Sequence, residues 1–172
     1  ANLPPESNRT YEFGTKWNLG KLIADTSWFR TVKTNAREPD PDNPTLNVLA
    51  GDQRVSGVQT NIQGKITNRW ELMAGYAYLD SRVISSNYYP KSIGVRLANA
   101  PVNPFNFWSS YRLPRHWDFG AGSNFVGSRT ASSTAPFDAT TGLVKQVPSY
   151  WVFNAMLSHP IAVKTGEIVE RD

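Results

Sequence analysis

The fold class this chain predicts is all-β: an antiparallel transmembrane β-barrel segment of about seven or eight strands. Three observations predict it. The stretch YEFGTKWNL puts Tyr11, Phe13, Thr15, Trp17 and Leu19 on one face of an extended chain and Glu12, Gly14, Lys16 and Asn18 on the other. That alternation returns in later segments, with aromatic residues near the segment ends. The connections between segments then alternate short, long, short, long. Membrane barrels build short turns at one end and long loops at the other, whereas a sandwich has no reason for such a rhythm.

The elements follow in order. The first strand is expected over residues 9–19, closed by a tight turn containing Gly20. The second covers 21–33, with Leu22, Ala24, Thr26 and Trp28 opposite Ile23, Asp25, Ser27 and Thr31. Residues 34–47 are expected as a long loop, because REPDPDNP packs three prolines among Glu38, Asp40 and Asp42. The third strand spans 53–66, with Val58, Thr60 and Ile62 opposite Gln59, Asn61 and Gln63. After a turn at 67–69 the fourth runs 70–80, with Trp70, Leu72, Ala74, Tyr76 and Tyr78 on one face. A loop over 81–102 precedes the fifth strand, 104–112, where Phe105, Phe107, Ser109 and Tyr111 oppose Asn106, Trp108, Ser110 and Arg112. A turn around Pro114 leads to the sixth, 117–126, with Phe119, Ala121 and Phe125 apolar and Asp118, Gly120, Gly122 and Asn124 polar or small. A third loop, 127–147, precedes the seventh strand, 149–159, with Trp151, Phe153, Ala155 and Leu157 on one face.

Composition narrows the function classes. The 172 residues are one domain's worth, 40% hydrophobic and 19% charged, too polar for a helical membrane protein. No run approaches the roughly 18 apolar residues a spanning helix needs, but a barrel strand turns only every second residue to lipid. Six Trp and seven Tyr suit a membrane–water interface, though they suit any β core as well. Cysteine is absent, which excludes disulfides and thiolate metal sites. The net charge of +4 is scattered rather than gathered into a basic stripe, so no nucleic-acid partner is expected. A mouth that attracts anions uses that charge better. The opening ANLPPESNRT has no basic region or apolar core, so no signal peptide is expected in it.

The segments LPPESNRTYEFGTKWNL, LIADTSWFRTVKTNAR, AGDQRVSGVQTNIQGKITNRWELMAGYAYLDS, GVRLANAPVNPFNFWSSYRLP and VPSYWVFNAMLSH, in this order and spacing, resemble the C-terminal half of the barrel of a TonB-dependent outer-membrane siderophore receptor. The wording is nearest the ferric-catecholate branch. The resemblance implies a complete wall of about 22 strands around a plugged lumen. Residues 1–172 would be a single barrel segment, a fragment with the plug domain and closing strands absent. It implies uptake of a ferric siderophore, a TonB complex acting through the missing N-terminal plug, and residence in the lipid of the bacterial outer membrane. Iron would be carried by the chelator, so no cofactor and no protein metal ligands are expected. A wall fragment leaves two strand edges to satisfy. An eighth strand from the tail, or a second copy, is the expected remedy.

Anionic ferric catecholates would favour aromatic and cationic groups at the mouth. The resulting substrate-binding candidates are Tyr88, Tyr89, Lys91 and Arg96 in the second loop and Arg129 in the third. The plainer reading of each is a solvated loop residue or a rim aromatic. Glu12, Lys16, Asp25 and Glu71 face the expected lumen, for plug contact or for cross-strand pairing. No Ser and acid accompany His116 or His159, so no catalytic residues and no enzyme are expected. Gly120 and Gly122 precede no helix and form no phosphate loop. The rival readings are a self-contained eight-stranded outer-membrane barrel with a structural or adhesion role, and a soluble carbohydrate-binding sandwich.

Overall fold

The computed structural model describes residues 4–43 and 45–160. Nine strands are present among them: β1 (Ser7–Leu19), β2 (Leu22–Pro39), β3 (Asn47–Lys65), β4 (Trp70–Ser86), β5 (Phe105–Arg112), β6 (Asp118–Val126), β7 (Arg129–Thr130), β8 (Gln146–Val147) and β9 (Tyr150–Ser158). Seven of them form one antiparallel sheet in the order β1-β2-β3-β4-β5-β6-β9, while β7 and β8 form a separate two-stranded ribbon inside the third long connection.

Register joins the separate alternations into two continuous faces. Phe13 lies opposite Trp28, Trp28 opposite Val58, and Val58 opposite Tyr78. Tyr76 opposes Phe105, Phe105 opposes Phe125, and Phe125 opposes Trp151. Directly opposed residues share a face, so every apolar row lands on the same side. A slip of one residue at any strand pair would turn that strand's aromatics to the polar side.

The sheet is a single layer. The buried hydrophobic residues among the described ones are Ala36 and Val83, while Phe13 (73% exposed), Phe153 (75%) and Leu157 (62%) stand out from the apolar face. A soluble sandwich would bury that face under a second sheet. The other sheet here is a two-residue ribbon, and the carbohydrate-binding sandwich is thereby overturned.

The short connections are turns of definite chemistry. Leu19 pairs with Leu22 across a two-residue loop in which Gly20 has φ +75°, the conformation a type II′ hairpin requires at its first position. Between β3 and β4, the Thr67 hydroxyl accepts the N–H groups of Arg69 and Trp70. Between β5 and β6, Leu113 N–H bonds the Trp117 carbonyl, and the His159 ring packs 4.7 Å from Trp117.

Three strand limits at the long-loop end differ from the sequence expectation. β2 continues to Pro39, where 34–47 reads as loop, β3 begins at Asn47 rather than 53, and β4 continues to Ser86, past the expected stop at 80. Pro39 is tolerated because it is the last residue of its strand, opposite Asn47. Register shifts between Lys33 and Ala36, beside Asn35 at φ 56°, re-aim the chain before that extension. The proposed eighth strand falls in 161–172, outside the described residues; among those described, β1 and β9 are the unpaired edges.

On the polar face, Trp108 lies across Gly120 and Gly122. A Cβ at residue 120 would sit 2.6 Å from the indole, and one at 122 would sit 2.5 Å from both the ring and the Phe107 carbonyl. Gly122→Val is therefore expected to cost about 1–3 kcal/mol through strand displacement. A thermal unfolding midpoint equal to that of the unsubstituted chain would contradict this packing role.

Candidate binding site at the long-loop end

The long connections, 40–46, 87–104 and 127–149, all emerge at one end of the sheet and are tied to it and to each other. Beyond the aromatic rows, β2, β3 and β4 project as a three-stranded extension. The second connection runs back along β4: Val83 N–H bonds the Val95 carbonyl, Leu79 N–H the Val102 carbonyl and Ala77 N–H the Pro104 carbonyl. The third connection docks on the second. Asn99 N–H bonds the Thr130 carbonyl at 3.1 Å, and Ala98 N–H bonds the Ser133 hydroxyl at 2.7 Å.

A buried clasp joins the end of β2 to the end of β4 and the second connection. Glu38 is 4% exposed and accepts a hydrogen bond from the Ser86 hydroxyl at 3.2 Å. Ser86 Oγ accepts the N–H of Tyr89, whose phenol donates to the Pro39 carbonyl at 2.9 Å. A short 3-10 turn over Pro90–Ser92 follows, with Ser92 fully buried and its hydroxyl donating to the Tyr89 carbonyl.

These ties divide the five sequence-predicted site residues. Tyr89 is a clasp residue. Arg96 Nη1 donates to the Leu79 carbonyl at 3.2 Å and holds the second connection against β4. Arg129 lies over the Tyr150 ring, 5.6 Å from its centroid, and has one buried nitrogen, Nη1, without a hydrogen-bond partner among the described residues. Tyr88 and Lys91 are exposed, with no internal hydrogen bond among the described residues, and are the pair presented to solvent. Segment 87–104 carries Lys91 and Arg96 and no acid, whereas 127–149 carries Arg129, Lys145 and one acid, Asp138. Those two connections favour anions, whereas the first, with Asp40 and Asp42 and no cation, does not.

The polar face below the mouth is lined with amides. Gln59, Asn61, Asn106 and Asn124 border a concavity of about 280 Å³. Asn61 donates to Asp25 at 2.9 Å, and Lys65 pairs with Glu71 at 3.3 Å, so the expected cross-strand role fits these acids. Lys16 stands opposite Asp25 in the register. Among the described residues, no group of His, Cys, Asp and Glu could hold a metal ion. His116 occupies the β5–β6 turn and His159 the end of β9.

Comparison with known proteins gives the family. The TonB dependent receptor-like, beta-barrel family model matches residues 1–167. The chain is 30% identical over 162 residues to the probable TonB-dependent receptor BfrD of Bordetella pertussis, covering 92% of this chain and 22% of that protein. The crystal structure of the siderophore receptor PiuA from Acinetobacter baumannii superposes with a TM-score of 0.73 at 28% identity, over 90% of this chain and 22% of that one. The closed form of the ferric-catecholate import receptor Fiu from Escherichia coli K12 superposes with a TM-score of 0.71 at 26% identity, over 93% and 22%. The chain thus spans about a fifth of the length of the curated relatives it matches.

The clasp and the third connection yield two expected outcomes. Tyr89→Phe removes one hydrogen bond and should cost about 1 kcal/mol locally. Faster hydrogen exchange at Ser92 and Val95 is the readout, and unaltered exchange would show that the phenol does not anchor the segment. Asp138 Oδ1 accepts the Thr141 N–H at 2.8 Å, the Thr141 hydroxyl at 3.0 Å and the Thr140 N–H at 3.0 Å. These bonds, the Thr141 N–H foremost, hold its carboxyl below the ordinary value of 3.8. A depressed carboxyl contributes its stability above that ordinary value and loses it as pH falls through the folded-state value. Protection of the Thr140 and Thr141 amides should accordingly drop on acidification in the native chain, and Asp138→Asn should flatten that dependence.

Proposed function

We propose that this chain, which belongs to the TonB dependent receptor-like β-barrel family, is a wall segment of an outer-membrane receptor for TonB-dependent uptake of ferric siderophores. The observation that carries this reading is the predominantly apolar face, aromatic and aliphatic residues interspersed with threonine and serine, that the register of seven strands makes continuous. Its dimensions suit a membrane. From Trp70 to Tyr78 on β4 the strand rises roughly 26 Å, or roughly 20 Å along the normal at barrel tilt, comparable to an apolar band of about 25 Å. Trp17, Trp70, Tyr111 and Trp117 mark the short-turn end, which would be periplasmic. The long connections would be extracellular.

The wall reading also accounts for the edges. Among the described residues, β1 and β9 present unpaired backbone, which lipid does not tolerate. Strands of the remaining barrel would pair with both, which favours a wall segment over a self-contained eight-stranded barrel. The TonB complex would act through the plug, and the polar amide face would line the lumen around it.

At the mouth, the ferric chelate is the substrate and carries its own metal. Tyr88 and Lys91 are the contact residues we assign, with Arg129 held ready by Tyr150. The name of the relative Fiu supports an anionic catecholate ligand. In the receptor that carries this segment, Y88A/K91A should weaken ferric-catecholate binding about tenfold, as expected for losing one aromatic and one cationic contact. Titration followed by tryptophan fluorescence checks this. An unchanged dissociation constant would remove both residues from the site, and a ligand preference for a neutral ferric chelate would sink the catecholate assignment.

A further inference from the structure

The apolar face changes character abruptly toward the long-loop end. One row across β1–β4 reads Phe13, Trp28, Val58, Tyr78. The next, two residues up each strand, reads Tyr11, Arg30, Ser56, Asp80, and the one above it reads Arg9, Val32, Arg54, Arg82. Four guanidiniums therefore share the outward face with a single carboxylate, a surplus of three positive charges in two rows (four minus one). A β-bulge beside Asp52 interrupts the row beyond.

That carboxylate leaves the surplus unneutralised. Asp80 bonds Arg54 Nη2 at 2.9 Å and Arg82 Nε at 2.8 Å. Arg54 and Arg82 are directly opposed, and Asp80, bonded to both, offsets that like-charge contact, so the unneutralised charge falls on Arg9 and Arg30. Arg54 Nε is buried without a hydrogen-bond partner among the described residues. Arg9 and Arg30 are exposed, have no internal hydrogen bond or ion pair among the described residues, and line a groove of about 780 Å³ with Tyr11 and Trp28.

We propose that this arginine double row, stacked directly above the aromatic row on the lipid side, binds the phosphate of an anionic lipid headgroup in the outer leaflet. The inference rests on the membrane seating proposed above. Position selects the occupant. A lipid whose acyl chains lie along Phe13, Trp28 and Tyr78 presents its headgroup about 7 Å higher, two residues along the strand. Arginine's planar fork matches phosphate oxygens in pairs, and interfacial aromatics hold the glycerol level. A dissolved anion would have no use for the apolar row beneath.

The test uses the detergent-solubilised receptor that carries this segment, titrated by native mass spectrometry with dioleoyl phosphatidic acid and with dioleoylglycerol, which differ only in the phosphate. The receptor should prefer the phosphatidic acid. R9Q/R30Q should weaken its binding roughly 30-fold, as expected for two cations near an anionic surface, and R9K/R30K should retain most of it. Because Arg9 and Arg30 are exposed and make no ion pair among the described residues, the lysine variant also serves as the folded control. Equal affinity for the two lipids overturns the inference. So does an equal loss in both double variants, unchanged binding in R9Q/R30Q, or full displacement by inorganic phosphate. Ferric-catecholate binding on the same preparations should be unaffected by R9Q/R30Q. Its absence from the unsubstituted receptor would sink the proposed function, whereas loss of the lipid preference alone would sink only the headgroup site.

Discussion

Backbone hydrogen bonding across one layer is the constraint on which the rest of this structure depends. With Ala36 and Val83 as the buried hydrophobic residues among those described, no packed core holds the strands together. What holds them is the ladder itself, from Ser7 opposite Thr34 to Val126 opposite Tyr150, and the side-chain pairs that ride on it. Such a layer persists only where its apolar face meets lipid and its two edges meet further strands. Membership of a β-barrel receptor family and the unpaired edges of β1 and β9 among the described residues are thus two sides of one physical requirement.

The two faces solve different problems. The lipid side needs only apolar bulk and interfacial aromatics, and it carries them in rows. The polar side must fill curvature and keep its polar groups bonded. It does so with small residues and amides: Asn61 on Asp25, Lys65 on Glu71, and the Trp108 indole spread over Gly120 and Gly122. Above both, the Glu38–Ser86–Tyr89 clasp converts a proline-rich connection into an ordered platform.

All seven strands of the main sheet were legible from alternation, and the three turns from Gly20, Thr67 and Pro114. Strand length at the long-loop end was not. Pro39, Asp40 and Pro41 read as breakers, yet β2 runs to Pro39 because its partner begins at Asn47 and the second connection covers the extension. The candidate site was half legible. Aromatic and basic residues in the loops flagged a mouth, but composition does not separate a presented side chain from a tie. Tyr88 and Tyr89 are neighbours in sequence and take opposite roles, since only the Tyr89 phenol reaches Pro39.

By itself, the sequence determined which residues alternate, where the chain reverses, and which family the pattern resembles. Those are local properties: a period of two and a turn residue act within a few positions. Only the tertiary structure decided which residues stand beside one another across strands. Arg9, Arg54 and Arg82 are scattered over more than seventy positions, yet one register aligns them in a single row. No single strand encodes that row, because register is a joint property of neighbouring strands and the turns that connect them.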